Sequence, residues 1–176
     1  MIRSLLSDWG FSWKGFQTNK NGEWWLIIQL LLIGAHFLPP ILINVALAGN
    51  IALVIKIMAF LSLLFGIYFG TYSLIVLGNN LSPLPEPKVK AILVTRKVYN
   101  FCRHPLYLSL ILISISINLF LKSVLHLTLL VSLCIVLIGK AHSEEKRLKR
   151  KYSNYSLYMQ STPAIIKGLP FFDWNK

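Results

Sequence analysis

The chain carries the sequence L-V-T-R-K-V-Y-N-F-C-R-H-P-L-Y at Leu93–Tyr107, between two blocks of strongly apolar residues. Arg103 and His104 stand directly before the second block, where an ionisable side chain is costly to place in a membrane. Pro105 follows them, and proline is favoured at the first position of a helix because its fixed φ suits that turn. The stretch therefore predicts a chain break with two ionisable side chains at the mouth of a helix.

The composition around this stretch is that of an integral membrane protein. Of the 176 residues, 55% are hydrophobic and only 14% are charged, and the mean hydropathy is +0.61. A soluble domain of this length cannot bury so much apolar surface. The formal net charge of +12 accordingly indicates basic loops beside anionic lipid headgroups, and we expect no nucleic-acid partner.

Residues 23–77 contain two apolar runs, each long enough to cross the hydrocarbon core of a bilayer. We expect the first helix to extend from Trp24 to about Ala48 and to kink at Pro39–Pro40, since proline removes a backbone hydrogen bond. His36 lies one turn before that kink and is expected to bond a carbonyl group that the kink frees.

The second helix is expected from Ile51 to about Leu77. Gly66 and Gly70 form a G-x-x-x-G pair on it, which permits the close approach of another helix. The pair suits packing inside the bundle as well as dimerisation, so the oligomeric state stays open.

Two shorter apolar runs, Pro105–Leu121 and Ser123–Lys140, predict a helical hairpin over 105–140. Each is at the lower limit of length for a span, and a re-entrant hairpin is the alternative. Together the runs predict an all-α integral membrane protein with about four transmembrane helices.

The remaining segments are too polar to span a bilayer. Residues 1–22 suit either an interfacial segment or a loose tail. Residues 78–170 hold a Pro-rich linker, the hairpin and, after Ala141, a charged segment that predicts an amphipathic helix along the membrane. The side chains predicted to share one face of that helix are Leu148, Tyr152, Tyr155 and Tyr158. Residues 171–176 form a tail.

The distribution of charge predicts a multi-pass protein with both termini in the cytoplasm. Four spans place residues 1–23, the 78–104 linker and the C-terminal segment on one side, and these carry 16 of the 18 Lys and Arg residues. The other two, Lys56 and Lys122, fall near the opposite face. Basic loops are retained on the cytoplasmic side of membranes.

Cys102 and Cys134 are the only cysteines in the chain, which also has four histidines. Their spacing matches neither a disulfide framework nor a metal site. We therefore expect no bound metal.

A second polar cluster, Glu144–Glu145, follows the predicted hairpin. Because a hairpin returns the chain to the same membrane face, this cluster and Arg103–His104 should be neighbours, with hydroxyl groups of Tyr99 and Tyr107 nearby. Such a set can bind a zwitterionic molecule, or it can be an interfacial belt held by one Arg–Glu salt bridge. The residues alone favour neither interpretation.

The motif R-H-P-L-Y, followed one hairpin later by E-E-K-R-L and then by Y-S-N-Y-S-L-Y, resembles the isoprenylcysteine carboxyl methyltransferase family. That family is part of a wider group that includes the phospholipid N-methyltransferases. The resemblance covers about Gly78 to Pro170. It implies S-adenosylmethionine (SAM) as methyl donor at a cytoplasmic site, and a lipidic or prenylated substrate, with carboxyl O-methylation favoured.

The resemblance also implies roles for individual residues. In the isoprenylcysteine enzymes a basic residue four positions before the first glutamate contacts the substrate, and here that position is Lys140. We assign Arg103 to charge pairing with the cofactor carboxylate or with Glu144, and an amine acceptor would need His104 or a glutamate to take its proton. Arg103 and His104 are thus the catalytic candidates. The implied cofactor-binding residues are Ala91, Ile92, Leu93, Val94, Tyr99, His104, Pro105, Leu106, Tyr107 and Glu144.

Three glycines of the family pattern are replaced, by Lys97, Ser109 and Ser153. Glycine allows backbone geometries and close approaches that other residues do not. Two alternatives to an active methyltransferase therefore stay open. One is a non-catalytic membrane protein that keeps the fold, and the other is an NADPH-dependent membrane reductase of similar fold, for which the chain looks short.

Overall fold

The computed structural model describes residues 13–42 and 49–174. Within them the chain is helical, with seven α-helices and a short 3-10 turn at Gly78–Asn80. The helices α1 to α7 are Trp13–Thr18, Glu23–Ala35, Gly49–Leu77, Val98–Phe101, Pro105–Leu121, Val124–Lys151 and Tyr155–Ser161. The prediction of an all-α chain is confirmed for these residues.

Two helices are long and apolar enough to cross a membrane: α3 with its 3-10 turn, Gly49–Asn80, and α6. The apolar helices α2 and α5 have 13 and 17 residues. At 1.5 Å per residue they are about 20 and 26 Å long, less than the roughly 30 Å of a hydrocarbon core. In the described residues, two of the four predicted spans are therefore long helices and the other two are shorter helices.

The predicted kink in the first span is replaced by a helix end. α2 stops at Ala35, and Pro39–Pro40 lie outside any helix beyond it, because consecutive prolines cannot continue the helical hydrogen bonds. His36 Nδ1 lies 2.7 Å from the Leu32 carbonyl oxygen, and Nε2 lies 2.6 Å from Ser114 Oγ. The expected bond from His36 to a backbone carbonyl group is thus confirmed.

The segment that follows α2 reaches the tip of the hairpin formed by α5 and α6. The backbone N–H of Val124 donates to the Ile41 carbonyl oxygen at 3.0 Å, and the Ile41 N–H donates to Ser123 Oγ at 3.0 Å. Lys122 ends α5 in the left-handed conformation, with φ 48. The predicted end of the first span, at Ala48, lies outside the described residues.

The four apolar helices pack in the spatial order α2, α6, α5, α3. The glycine pair of α3 faces α5: a Cβ atom on Gly66 would lie 2.7 Å from Ile113 Cγ1, and one on Gly70 would lie 2.6 Å from Ser109 Oγ. Of the two roles left open for G-x-x-x-G, the pair has the role of packing inside the bundle.

The amphipathic helix predicted after Ala141 is not a separate element. α6 continues through the charged segment to Lys151, because residues 141–151 contain no Gly or Pro. The short helix α7 follows after a turn. Tyr155 and Tyr158 are 1% and 9% exposed, so these two side chains pack into the protein. The prediction that they share one helix face with Leu148 and Tyr152 is wrong, because Leu148 belongs to α6 and Tyr152 lies in the turn between the two helices.

The N-terminal segment predicted to be interfacial is described from residue 13. Its short helix α1 leaves Trp13 82% exposed, and Trp24 is about half exposed at the start of α2. Residues 1–12 lie outside the described part of the chain.

Candidate active site

The two polar clusters predicted to be neighbours are in direct contact. Arg103 Nε lies 2.7 Å from Glu145 Oε1, and the two side chains are 1% and 4% exposed. His104 Nε2 lies 2.9 Å from the same carboxylate oxygen. The Glu145 carboxylate and these two partners form a buried network. If one ionic partner were removed, a buried charge would be left uncompensated.

Arg103 also joins the hairpin to the C-terminal segment. Its N–H donors reach the backbone carbonyl oxygens of Met159, Thr162 and Trp174. The backbone N–H groups of Arg103 and His104 donate to Pro163 and Ala164. Of the two partners predicted for Arg103, Glu144 is wrong, because Glu145 and not Glu144 forms the ion pair with it. Pairing of Arg103 with the cofactor carboxylate stays a prediction.

The chain break before α5 is built on a tight turn. Tyr99 N–H donates to the Arg96 carbonyl oxygen at 3.2 Å, and the first central residue, Lys97, has φ 59 and ψ −124. Those angles are typical of the first central position of a type II′ turn, where glycine is favoured. Of the three replaced glycines, Lys97 alone has a positive φ, since Ser153 does not and Ser109 is in α5.

A cavity of about 350 Å³ lies beside this network. It is lined from both α2 and α3, which do not pack against each other in the described chain, so the cavity lies between them over the hairpin. Small-molecule sites are typically about 300–1,000 Å³, with mostly apolar walls and a few polar groups. The cavity is lined by every residue implied for the cofactor or substrate, namely Ala91, Ile92, Leu93, Val94, Tyr99, His104, Pro105, Leu106, Tyr107, Glu144 and Lys140.

Glu144 presents its carboxylate to the cavity. Its side chain is 29% exposed, and Oε2 accepts a hydrogen bond of 2.7 Å from the Tyr107 hydroxyl. His104 Nδ1 lies 3.8 Å from the same oxygen, and the His104 ring stacks on Tyr107 with centroids 5.1 Å apart. The adjacent glutamates therefore divide between the buried network and the cavity wall.

The extended segment Ala91–Val94 forms another wall of the cavity. The Tyr152 hydroxyl donates to the Ala91 carbonyl oxygen at 2.5 Å, and the Tyr158 hydroxyl donates to that of Tyr99. Burial, with a further contribution from the nearby Glu144 carboxylate, raises the pKa of Tyr99 well above its usual value. The Tyr99 phenol therefore stays protonated at neutral pH and can donate a hydrogen bond. Sequence reasoning placed Tyr152 on a shared helix face and missed its hydrogen bond to Ala91.

Lys140 is 3% exposed, and its ammonium donates to Gln29 Oε1 at 2.6 Å and to the Pro83 carbonyl oxygen at 2.9 Å. No carboxylate of the described chain forms a salt bridge with it. A buried charge is costly unless it is paired. Sequence reasoning also missed Gln29, whose signal is that it stands alone as a polar residue between Trp24 and Ala35.

Long apolar helices around a cavity with few polar groups define an integral membrane protein with a small-molecule site. A model of the phospholipid methyltransferase family matches residues 54–155, more than half of the chain. The chain therefore belongs to the phospholipid methyltransferase family, whose members use SAM as methyl donor. Neither the curated proteins nor the solved structures yield a match.

The match covers most of α3, the hairpin and all residues implied for the cofactor, and it leaves α2 outside. It establishes the wider group of membrane methyltransferases to which the motif resemblance points. It favours methyl transfer over the reductase alternative. The narrower likeness to the isoprenylcysteine carboxyl methyltransferases is not part of what the match shows.

Proposed function

We propose that this protein transfers the methyl group of SAM to a carboxylate at the head of a lipidic or prenylated substrate. The observation that carries the proposal is the cavity, whose polar end at Glu144 and Tyr107 continues between the apolar helices α2 and α3. SAM supplies an already activated methyl group. The protein then has to align donor and acceptor and to exclude water.

The residues at the polar end fit SAM. Glu144 offers a carboxylate to the positively charged part of the cofactor, and the Tyr107 hydroxyl holds that carboxylate in place. The backbone of Ala91–Val94 offers donors and acceptors to the adenosine, beside the protonated phenol of Tyr99. Arg103 acts indirectly as a positioning residue, since through Glu145 it fixes the chain break from which Tyr107 projects.

Lys140 is proposed as the binding group for an anionic part of the substrate. Its buried ammonium donates to two neutral acceptors, and in the described residues no carboxylate lies within salt-bridge distance of it, although the Glu144 carboxylate acts on it at longer range. A carboxylate acceptor would complete the pair and needs no general base, whereas an ammonium acceptor must first lose a proton. Both ring nitrogens of His104 face glutamate oxygens, and the proposed transfer gives His104 no role as a base.

N-methylation of an amine-bearing phospholipid is a second candidate. The family match favours it, because the family is described as one of phospholipid methyltransferases. In that case Lys140 would bind the phosphodiester, and deprotonation of the amine would be assigned to Glu144 or His104.

All four apolar segments are proposed to cross the membrane, with the basic end and both termini in the cytoplasm. α2 begins at the basic end, where Gly22 packs on Pro85. The chain beyond α2 reaches the hairpin tip at Ser123. α2 and its extension therefore cover the same length of the bundle as α6 does between Ser123 and Lys140. SAM would then enter from the cytosol and the lipid from the bilayer.

The test is a methyl-transfer assay on purified protein in lipid nanodiscs, with methyl-labelled SAM and either a prenylcysteine or phosphatidylethanolamine as acceptor. We expect label in the prenylcysteine, released as volatile methanol by base, because carboxyl methyl esters hydrolyse and N-methyl groups do not. Base-stable label in phosphatidylethanolamine would replace this proposal with N-methylation. No transfer, together with no SAM binding by calorimetry at millimolar SAM, would favour the non-catalytic alternative.

Variants separate the two halves of the site. Glu144→Gln and His104→Ala are expected to weaken SAM binding by about tenfold or more, since each removes a charge-assisted contact at the cavity wall. Lys140→Gln is expected to raise KM for the acceptor and leave SAM affinity unchanged. Glu145 is a poor probe, because its removal breaks the buried ion pair with Arg103, at about 3–5 kcal/mol of stability.

A further inference from the structure

A second cavity lies on another face of α6 and shares no residue with the first. We call it the basic groove; it is lined by Lys20, Asn21, Glu86, Ser143, Lys146, Arg147 and Arg150. The four residues from α6 recur at three- and four-residue spacing and so share one face of the helix. Lys140, Glu144 and Leu148 follow the same spacing on the face that lines the first cavity.

The basic groove holds four cationic side chains and one carboxylate. Arg147 Nη1 donates to Glu86 Oε2 at 2.5 Å, and both Nη atoms lie 3.2 Å from the Lys20 carbonyl oxygen. Within the described residues, Lys20, Lys146 and Arg150 have no salt-bridge partner. Their mutual repulsion falls if an anion enters between them.

The basic groove begins at headgroup depth along α6 and continues beyond it. The apolar part of α6 ends near Lys140, and at 1.5 Å per residue Ser143 lies about 4.5 Å and Arg150 about 15 Å further on. The polar interface of a bilayer extends roughly 5–8 Å beyond the hydrocarbon on each side, so the backbone of Arg150 lies outside it. Helical side chains tilt toward the N-terminus of their helix, and for α6 that direction leads back toward the headgroups. α1, just before Lys20, leaves Trp13 82% exposed, and exposed tryptophan is typical of headgroup level.

We propose that the basic groove binds the phosphate group of an anionic phospholipid, distinct from the lipid that is methylated. The guanidinium of Arg147, held by the Lys20 carbonyl group, presents a planar donor array suited to phosphate oxygens, for which Glu86 is the competing acceptor. Lys146 and Arg150, on the same helix face, neutralise the remaining charge of the phosphate. A basic pocket beside a membrane helix is a recognised form of site for anionic headgroups.

The basic groove and the first cavity are connected through the Pro-rich linker. Glu86 belongs to the segment Leu81–Pro87, most of which lines the first cavity. In that segment the Pro83 carbonyl oxygen accepts a hydrogen bond from Lys140. An anion that competes with Glu86 for Arg147 therefore acts on a segment that also contacts Lys140.

The test titrates purified protein in neutral detergent with dioctanoyl phosphatidylglycerol and counts bound lipid by native mass spectrometry. Lys146→Gln with Arg150→Gln is expected to weaken binding by about tenfold or more. The matched control, Lys149→Gln with Lys167→Gln, removes the same formal charge from exposed positions outside the groove and is expected to change binding roughly twofold at most. Glu86→Gln, which releases Arg147, is expected to tighten binding.

Three results would overturn the proposal. One is an equal loss of phosphatidylglycerol binding in the groove variant and in its control. The second is an affinity for zwitterionic dioctanoyl phosphatidylcholine equal to that for phosphatidylglycerol. The third is an equal affinity for inorganic phosphate, which would show that the groove recognises free phosphate and not a lipid. SAM binding in the same preparations keeps this test separate from the proposed enzymatic function. The groove variants are expected to bind SAM as the wild type does.

Discussion

Glu144 and Glu145 are adjacent in the chain and occupy different environments in the structure. Consecutive residues of a helix point about 100° apart, so one carboxylate of the pair meets Arg103 inside the protein and the other faces the cavity. Which glutamate is buried and which faces the cavity is decided by how α6 is rotated against α5. The same rotation brings Lys140 into the cavity and leaves Lys146 in the basic groove.

Lys97 stores backbone strain at the turn before the active-site motif. A non-glycine residue at φ 59 and ψ −124 costs of order 1–3 kcal/mol. We predict that Lys97→Gly stabilises the protein by about 1 kcal/mol, net of the greater chain entropy that glycine loses on folding. The measurement is thermal unfolding of purified protein in detergent.

Lys97→Ala is the matched control for that prediction. Both variants lose the contact between Lys97 Nζ and the Tyr72 ring, 5.7 Å from its centroid, but alanine keeps the steric penalty of a positive φ. Equal melting temperatures for the two variants would show that the turn carries no strain.

At the scale of elements, the contact of α3 with α5 depends on a backbone without side chains. A Cβ atom at Gly66 would lie 2.7 Å from Ile113 Cγ1 and 3.2 Å from both the Ile113 nitrogen and the Ser109 carbonyl oxygen. Two of these neighbours are backbone atoms, which cannot rotate away. We predict that Gly66→Ala destabilises the protein by about 1–3 kcal/mol, measured by unfolding in the same detergent.

Gly34→Ala on α2 provides the comparison. Nothing lies within 4 Å of a Cβ atom at Gly34, and alanine is the better helix former by about 1 kcal/mol. This variant should be neutral or slightly more stable. If Gly66→Ala were equally harmless, α3 and α5 would not be packed as closely as described.

At the scale of the whole molecule, the bundle has a basic end and an opposite end at the hairpin tip. Lys122 lies at the tip, and Lys167 lies in the C-terminal segment that packs on Arg103 at the basic end. If the basic end is cytoplasmic, a membrane-impermeant thiol reagent added to intact cells should label Lys122→Cys. It should label Lys167→Cys only after the membrane is permeabilised. The opposite pattern would reverse the proposed orientation.

The native cysteines give a low background in that experiment. Cys102 is fully buried, and burial raises its pKa to about 12, so the reactive thiolate is scarce at neutral pH. Cys134 lies within the apolar part of α6. The unsubstituted protein, labelled in parallel, measures what remains.

The sequence by itself determined the helical membrane character, the hairpin and the meeting of its two polar clusters. These follow from local properties, namely runs of apolar residues and the return of a hairpin to its starting face. The motif resemblance also named a set of residues that line one cavity. Prolines marked where the first helix is interrupted, but whether it kinks or ends depends on what the chain beyond it can contact.

The tertiary structure alone decided that Glu145 rather than Glu144 pairs with Arg103, that Gln29 meets Lys140, and that the glycine pair packs on α5. It also turned Tyr155 and Tyr158 inward. Each of these depends on the rotation of one helix against another, which is set by side-chain packing between segments far apart in the chain. Hydrophobic periodicity fixes which residues share a face, but it does not name the partner that the face will meet.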